Sequence, residues 1–161
     1  MKGFEPSLLD KLFDDAPRDA TFGTVKRMSN EEFKDSVARD VEGLLNNRFV
    51  VAEDVLKRFP HCQRSLATYG IHDFSGRSLA SSDDRAFICR SLELAISRHE
   101  PRLTNVRVLL DQDQRATGAL RFSISALLVV HPSREPINFD ALLQPTTLQY
   151  SVSRNRRAAA V

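Results

Sequence analysis

The sequence predicts an α+β domain, a small antiparallel sheet packed against two long helices and several short ones, and three observations carry that expectation. Apolar residues recur at helical spacing over 29–45 and again over 82–99; the period then switches to two over 104–110 and 120–130. Runs of helix followed by runs of strand point to segregated helices and sheet rather than alternating βα units. The size fits: 161 residues with 42% hydrophobic side chains, no Trp and 23 basic against 21 acidic residues suit one folded unit.

The first long helix starts at Ser29-Asn30-Glu31-Glu32, where a hydroxyl and a glutamate three places on can satisfy two orphan backbone donors reciprocally. Phe33, Val37, Val41, Leu44 and Leu45 then share one face. Asn46-Asn47 is expected to stop it, since Asn tolerates the left-handed conformation. A short helix with Val55, Leu56 and Phe59 must end at Pro60, another holds Leu66 and Tyr69, and Gly70 to Ser82 reads as an irregular loop. The second long helix begins near Ser82-Asp83-Asp84. Its stripe of Ile88, Leu92, Ala95, Ile96 and His99, widened by Phe87 and Leu94, predicts a central helix covered from two sides. Pro101 ends it at Glu100.

In the first strand Val106, Val108 and Leu110 face one way. In the second, Leu120, Phe122, Ile124, Ala126, Leu128 and Val130 do so opposite Arg121, Ser123 and Ser125. Asp111 to Gly118 connects them, while segments near Ile137–Phe139 and Leu148–Val152 are expected as short edge strands. Residues 1–28 form an N-terminal extension whose cluster Leu8-Leu9, Leu12-Phe13 suits a partner-docking arm or packing on its own domain; 29–152 form the compact domain and 153–161 an Arg-containing tail.

Function classes fall away in turn. The longest apolar run, Ala126 to Val130, is far short of the ~20 residues a membrane span requires. No secretory signal is readable near Met1-Lys2-Gly3-Phe4, so a cytoplasmic location is expected. Cys62 and Cys89 read as small buried hydrophobes. The glycines form no phosphate cradle, and His61, His72, His99 and His131 fall in no metal-binding pattern, so neither cofactor nor metal is expected. No Gly-x-Ser-x-Gly elbow is present. Arg154, Arg156 and Arg157 lack interleaved aromatics, which argues against nucleic acid. For a glycosidase the natural acid is Glu100, but Asp111 and Asp113 lie about 25 Å away along a strand, leaving only Asp73 or Asp140 as partners.

Glu100-Pro101-Arg102-Leu103 stands out. A Glu at the negative end of a helix needs a cation. With Pro101 extending the backbone, Glu100 and Arg102 project to one side as a single polar unit, either an internal brace with Arg102 or Arg98, or a docking surface offering forked hydrogen bonds.

This tetrapeptide, together with Ser7-Leu8-Leu9-Asp10-Lys11-Leu12, Val37-Ala38-Arg39-Asp40-Val41, Leu44-Leu45-Asn46 and Tyr69-Gly70-Ile71 with Asp73-Phe74, resembles the TssE family, from Pro6 to Tyr150. These are baseplate subunits of bacterial type VI secretion systems, akin to small phage baseplate wedge proteins sometimes labelled lysozyme-like. The resemblance implies a scaffold rather than an enzyme, recruited to the baseplate at the inner membrane, with the docking reading favoured for Glu100, Pro101, Arg102 and Leu103. It further implies contacts of that motif with the wedge subunits TssF and TssG. It also implies sheet edges, at Val106, Val108, Leu120, Phe122 and Ile124, that pair with strands of the sheath subunits TssB and TssC. The lysozyme label leaves a muramidase using Glu100 as the alternative. An Arg-rich tail has no counterpart in that family.

Overall fold

A computed structural model describes residues 4–12, 27–74, 76–78, 81–111, 120–144 and 146–155. The helices are α1 (Leu8–Leu12), α2 (Asn30–Leu45), α3 (Glu53–Arg58) and α4 (Ser82–His99), with 3-10 turns at Pro60–Arg64 and Leu66–Thr68 between α3 and α4. The strands are β1 (Leu103–Asp111), β2 (Leu120–Val130), β3 (Ser133–Gln144) and β4 (Gln149–Arg154). They form one antiparallel sheet in the order β1-β2-β3-β4, the α+β architecture the sequence predicts.

The predicted capping box is present: the Ser29 hydroxyl accepts from Glu32 N–H while the Glu32 carboxylate accepts from Ser29 N–H at 2.7 Å. Phe33, Val37, Val41, Leu44 and Leu45 are all buried. From the sheet come Phe122, Ile124, Leu128, Phe139 and Ala141, and from α4 Ile88, Leu92 and Ile96, so two helical stripes and one sheet face close a single core.

Five local expectations change. Asn46 caps α2 in a right-handed conformation (φ −86°), because its side-chain amide bonds the backbone of Tyr150 instead of freeing the chain to turn left-handed. Phe87 and Leu94 are exposed, so α4 is buried along one stripe and not from two sides. Near Ile137–Phe139 stands a twelve-residue strand, β3, paired along its length with β2. Its alternation of Ile137, Phe139, Ala141 and Leu143 with Asn138, Asp140 and Leu142 is the signature of an interior strand with one covered face. β4 runs on through Ser153 and Arg154, where Arg154 bridges Glu31 (2.7 Å) and Asp35 (2.6 Å) of α2. The start of the expected tail is therefore part of the sheet, and Arg154 is committed within the domain. Finally, Pro101 does not extend the chain: Glu100 to Leu103 form a β-turn closed by Leu103 N–H to Glu100 C=O at 3.1 Å.

The expected connection at 111–118, apart from its first residue, and the tail arginines Arg156 and Arg157 lie outside the described residues. Ends of the N-terminal extension pack on the domain: Phe4 pairs with Met28 and stacks on Phe33 with ring centroids 4.6 Å apart.

Candidate docking site

α4 and β1 meet at the turn Glu100–Leu103, and β2 holds the turn from its far side through Val129 N–H to Arg102 C=O at 2.8 Å. This fixed backbone aims Arg102 back at Glu100. The guanidinium grips Glu100 with Nε at 2.7 Å and Nη2 at 2.5 Å, and Glu100 Oε1 also accepts from Arg102 N–H at 3.1 Å. Nη2 reaches Asp40 of α2 as well, at 2.5 Å. Glu100 is only 4% exposed. Burial alone would lower the Arg102 pKa, but Glu100 and then Asp40 outweigh it and raise it. The pair is thus an internal brace tying helix α2 to the α4–β1 corner, and it still lines the surface described next.

The site opens onto a cleft of about 440 Å³. Phe33, Leu44 and Tyr69 form its apolar wall, Asp40, His99 and Arg102 its polar one, and Pro6 to Leu9 of the extension its rim. Tyr69 stands edge-on to His99, with centroids 5.6 Å apart. Burial, followed by the charges of Asp40 and Glu100, raises the Tyr69 pKa; burial lowers that of His99, to which Arg98 and Arg64 contribute. Both therefore face the cleft as neutral groups near neutral pH. Pro101 is exposed, whereas Leu103 points into the core.

The short helix α1 is docked by one carboxylate. Asp10 accepts from the buried Ser36 hydroxyl (2.5 Å), from Ser7 N–H (3.0 Å) and from Arg39 (2.8 Å). Burial pushes the Asp10 pKa up, but these hydrogen bonds, first those from Ser36 and Ser7, hold it below the usual carboxylate range. A carboxylate depressed in the docked state stabilises docking above its ordinary pKa and loses that contribution as pH falls through the lowered one. Acidification below about pH 4 is therefore expected to release α1 while α2 stays folded. Amide exchange of Leu9 and Asp10 across pH 3–6 checks this, and Asp10→Asn should show the released exchange already at neutral pH. Docking this way leaves the leucines outward, with Leu8 73% and Leu12 70% exposed.

Of the residues expected at a sheet edge, the structure separates two groups. Leu120, Phe122 and Ile124 lie on β2, which is paired on both sides by β1 and β3, so they are not at an edge. The sequence shows two strands strongly and the others weakly, so β2 looks terminal until β3 is seen. Val106 and Val108 do lie on an edge strand, β1, although their side chains are buried in the core.

Sequence reasoning gave Asp40 no role. The signal was present: 40 is seven residues beyond Phe33 and four before Leu44, so a carboxylate sits within the apolar stripe of α2 and needs a cation. Glu100 has both carboxylate oxygens engaged by Arg102, which leaves neither poised to protonate a leaving group. Among the described residues, no group of three His, Cys, Asp or Glu side chains is placed to hold a metal ion, and no helix is long and apolar enough to cross a membrane.

The fold is a four-stranded antiparallel sheet backed by helices, with a braced charged corner beside a rim of exposed leucines. Residues 31–133 match the family model described as baseplate wedge protein gp25, and the chain belongs to that family of structural baseplate components. No individual curated protein matches the chain closely.

Proposed function

We propose that this protein is the TssE-type subunit of a type VI secretion baseplate, which joins the wedge subunits TssF and TssG and offers the platform from which a TssB–TssC sheath polymerises. The observation that carries the reading is the surface beside the braced corner: Pro101 and the outer side of Arg102 are flanked by a helix pinned through Asp10 so that Leu8 and Leu12 face outward. Such a helix leaves Leu8 and Leu12 largely uncovered, and that leucine pair next to a fixed guanidinium suits a helical partner that supplies apolar anchors and acceptors. The strand-pairing role belongs to the β1 edge at Val106 and Val108. The protein works in the cytoplasm, at the inner-membrane-associated baseplate, without cofactor, nucleic acid or membrane insertion of its own.

The test uses exposed residues, so that folding is not at stake. Leu8→Glu with Leu12→Glu is expected to leave the thermal midpoint of the free protein within about 2 °C, a surface-level effect. Co-purification with a TssF–TssG complex should fall at least about tenfold. Undiminished co-purification removes the docking surface. The muramidase alternative requires cell-wall hydrolysis by the purified protein that Glu100→Gln abolishes.

A further inference from the structure

Both edges of the sheet are met by helical side chains, but in different ways. In β1, Leu109 is in register with Ser123 and Val108 with Ile124. Val108 N–H turns away from β2 and donates to Glu93 Oε1 at 2.9 Å. By strand alternation Leu110 N–H turns the same way, and the backbone of Leu110 reaches the thiol of Cys89, one turn before Glu93 on α4. At the other edge, the Asn46 amide both donates to Tyr150 C=O (2.9 Å) and accepts from Tyr150 N–H (2.8 Å). Glu42 accepts from Val152 N–H at 2.7 Å. Asn46 thereby reproduces both bonds that a neighbouring strand residue would make, and β4 is sealed as if already paired. The groups on β1 are acceptors, a carboxylate and a thiol, each on a rotatable side chain.

We propose that Glu93 guards the β1 edge: in the free protein its carboxylate occupies the position that the carbonyl of an added strand takes at Val108, so strand addition proceeds through release of Glu93. The inference rests on the reading of β1 as the acceptor of a sheath strand, and it adds the residue that controls access. A bare edge is a template for any extended chain, including a second copy of the same protein. A half-buried carboxylate is a suitable guard, because it satisfies the exposed N–H alone yet is well solvated once it swings out.

The experiment compares wild type, Glu93→Ala, Glu93→Gln and Asn46→Ala, all checked for folding by circular dichroism. Amide exchange at Val108 is expected to quicken about tenfold or more in Glu93→Ala and to stay near wild type in Glu93→Gln, whose amide oxygen still accepts. Binding to TssB–TssC should tighten several-fold in Glu93→Ala and not in Asn46→Ala. Unchanged Val108 exchange in Glu93→Ala overturns the guard, as does faster exchange with sheath binding equal to a measurable wild-type value. If Val108 exchange responds but neither wild type nor any variant binds sheath subunits, the acceptor reading of β1 falls, and the guard falls with it. Sheath binding that tightens equally in Asn46→Ala also counts against Glu93, because it places the acceptor edge elsewhere.

Discussion

Arg102→Ala is expected to destabilise the isolated protein by about 3–5 kcal/mol, the loss typical when one partner of a buried ion pair is removed. The reason is what remains. Glu100 is 4% exposed and takes three hydrogen bonds from Arg102, two from the guanidinium and one from the backbone N–H. Truncation removes the cation and leaves that buried carboxylate with the backbone N–H of residue 102 from this partner, and Asp40 loses its guanidinium partner at the same time. The docking reading that the family resemblance favours would leave such a variant folded and merely weaken partner binding; the brace, the other reading of the tetrapeptide, replaces that expectation. Urea unfolding followed by circular dichroism measures the loss, read as a lowered midpoint at constant slope. A double variant, Glu100→Gln with Arg102→Met, should be more stable than Arg102→Ala alone, because it withdraws the stranded charge together with its partner. A loss below about 1 kcal/mol for Arg102→Ala would show that Glu100 finds water, and that the corner is open rather than braced. Weaker binding by Arg102→Ala reports on folding and on contact together, so the exposed leucines of α1 are the cleaner probe.

Where burial follows a single period, the sequence was readable. The capping box at Ser29, the stripe from Phe33 to Leu45 and the alternation through Leu120–Val130 each follow from residues close in the chain, and each stands where it was expected. What escaped depends on residues far apart. Asp40 meets Arg102 across 62 positions, Asn46 meets Tyr150 across 104 and Glu42 meets Val152 across 110. No local pattern announces such partners; at most it shows a polar group placed where water cannot satisfy it, as Asp40 is within an apolar stripe. The interior position of β2 was hidden for a related reason. β3 carries Pro136, Asn138 and Asp140 among its apolar residues, and Pro and polar side chains lower the strand signal although they occupy the open face of the sheet. The corner tetrapeptide was legible as a charged pair, but its geometry was not: a turn, and not an extended chain, brings Glu100 and Arg102 together.

Gly70→Ala is the second substitution expected to have a large effect, a loss of about 2–4 kcal/mol from forbidden backbone geometry together with a steric clash. Gly70 has φ +128°, a conformation closed to side chains with a Cβ. An added Cβ would stand 2.6 Å from the carbonyl oxygen of Asn47 and 2.7 Å from its carbon, and backbone atoms cannot step aside as a flexible side chain would. The close approach is what lets the chain return to the end of α2, where Ile71 N–H donates to Asn47 C=O at 3.0 Å and Phe49 N–H to Ile71 C=O at 3.3 Å. That return buries Ile71 (1% exposed) in the core and sets Tyr69 against His99 on the cleft wall. The substitution should therefore act on the docking site as well as on stability. In Gly70→Ala the amide resonances of Tyr69, Ile71 and His99 are expected to shift while those of β2 and β3 hold, and the unfolding midpoint should drop. A variant as stable as wild type would mean that the chain reaches Asn47 by another path, and that the wall of the cleft is not set by this crossing.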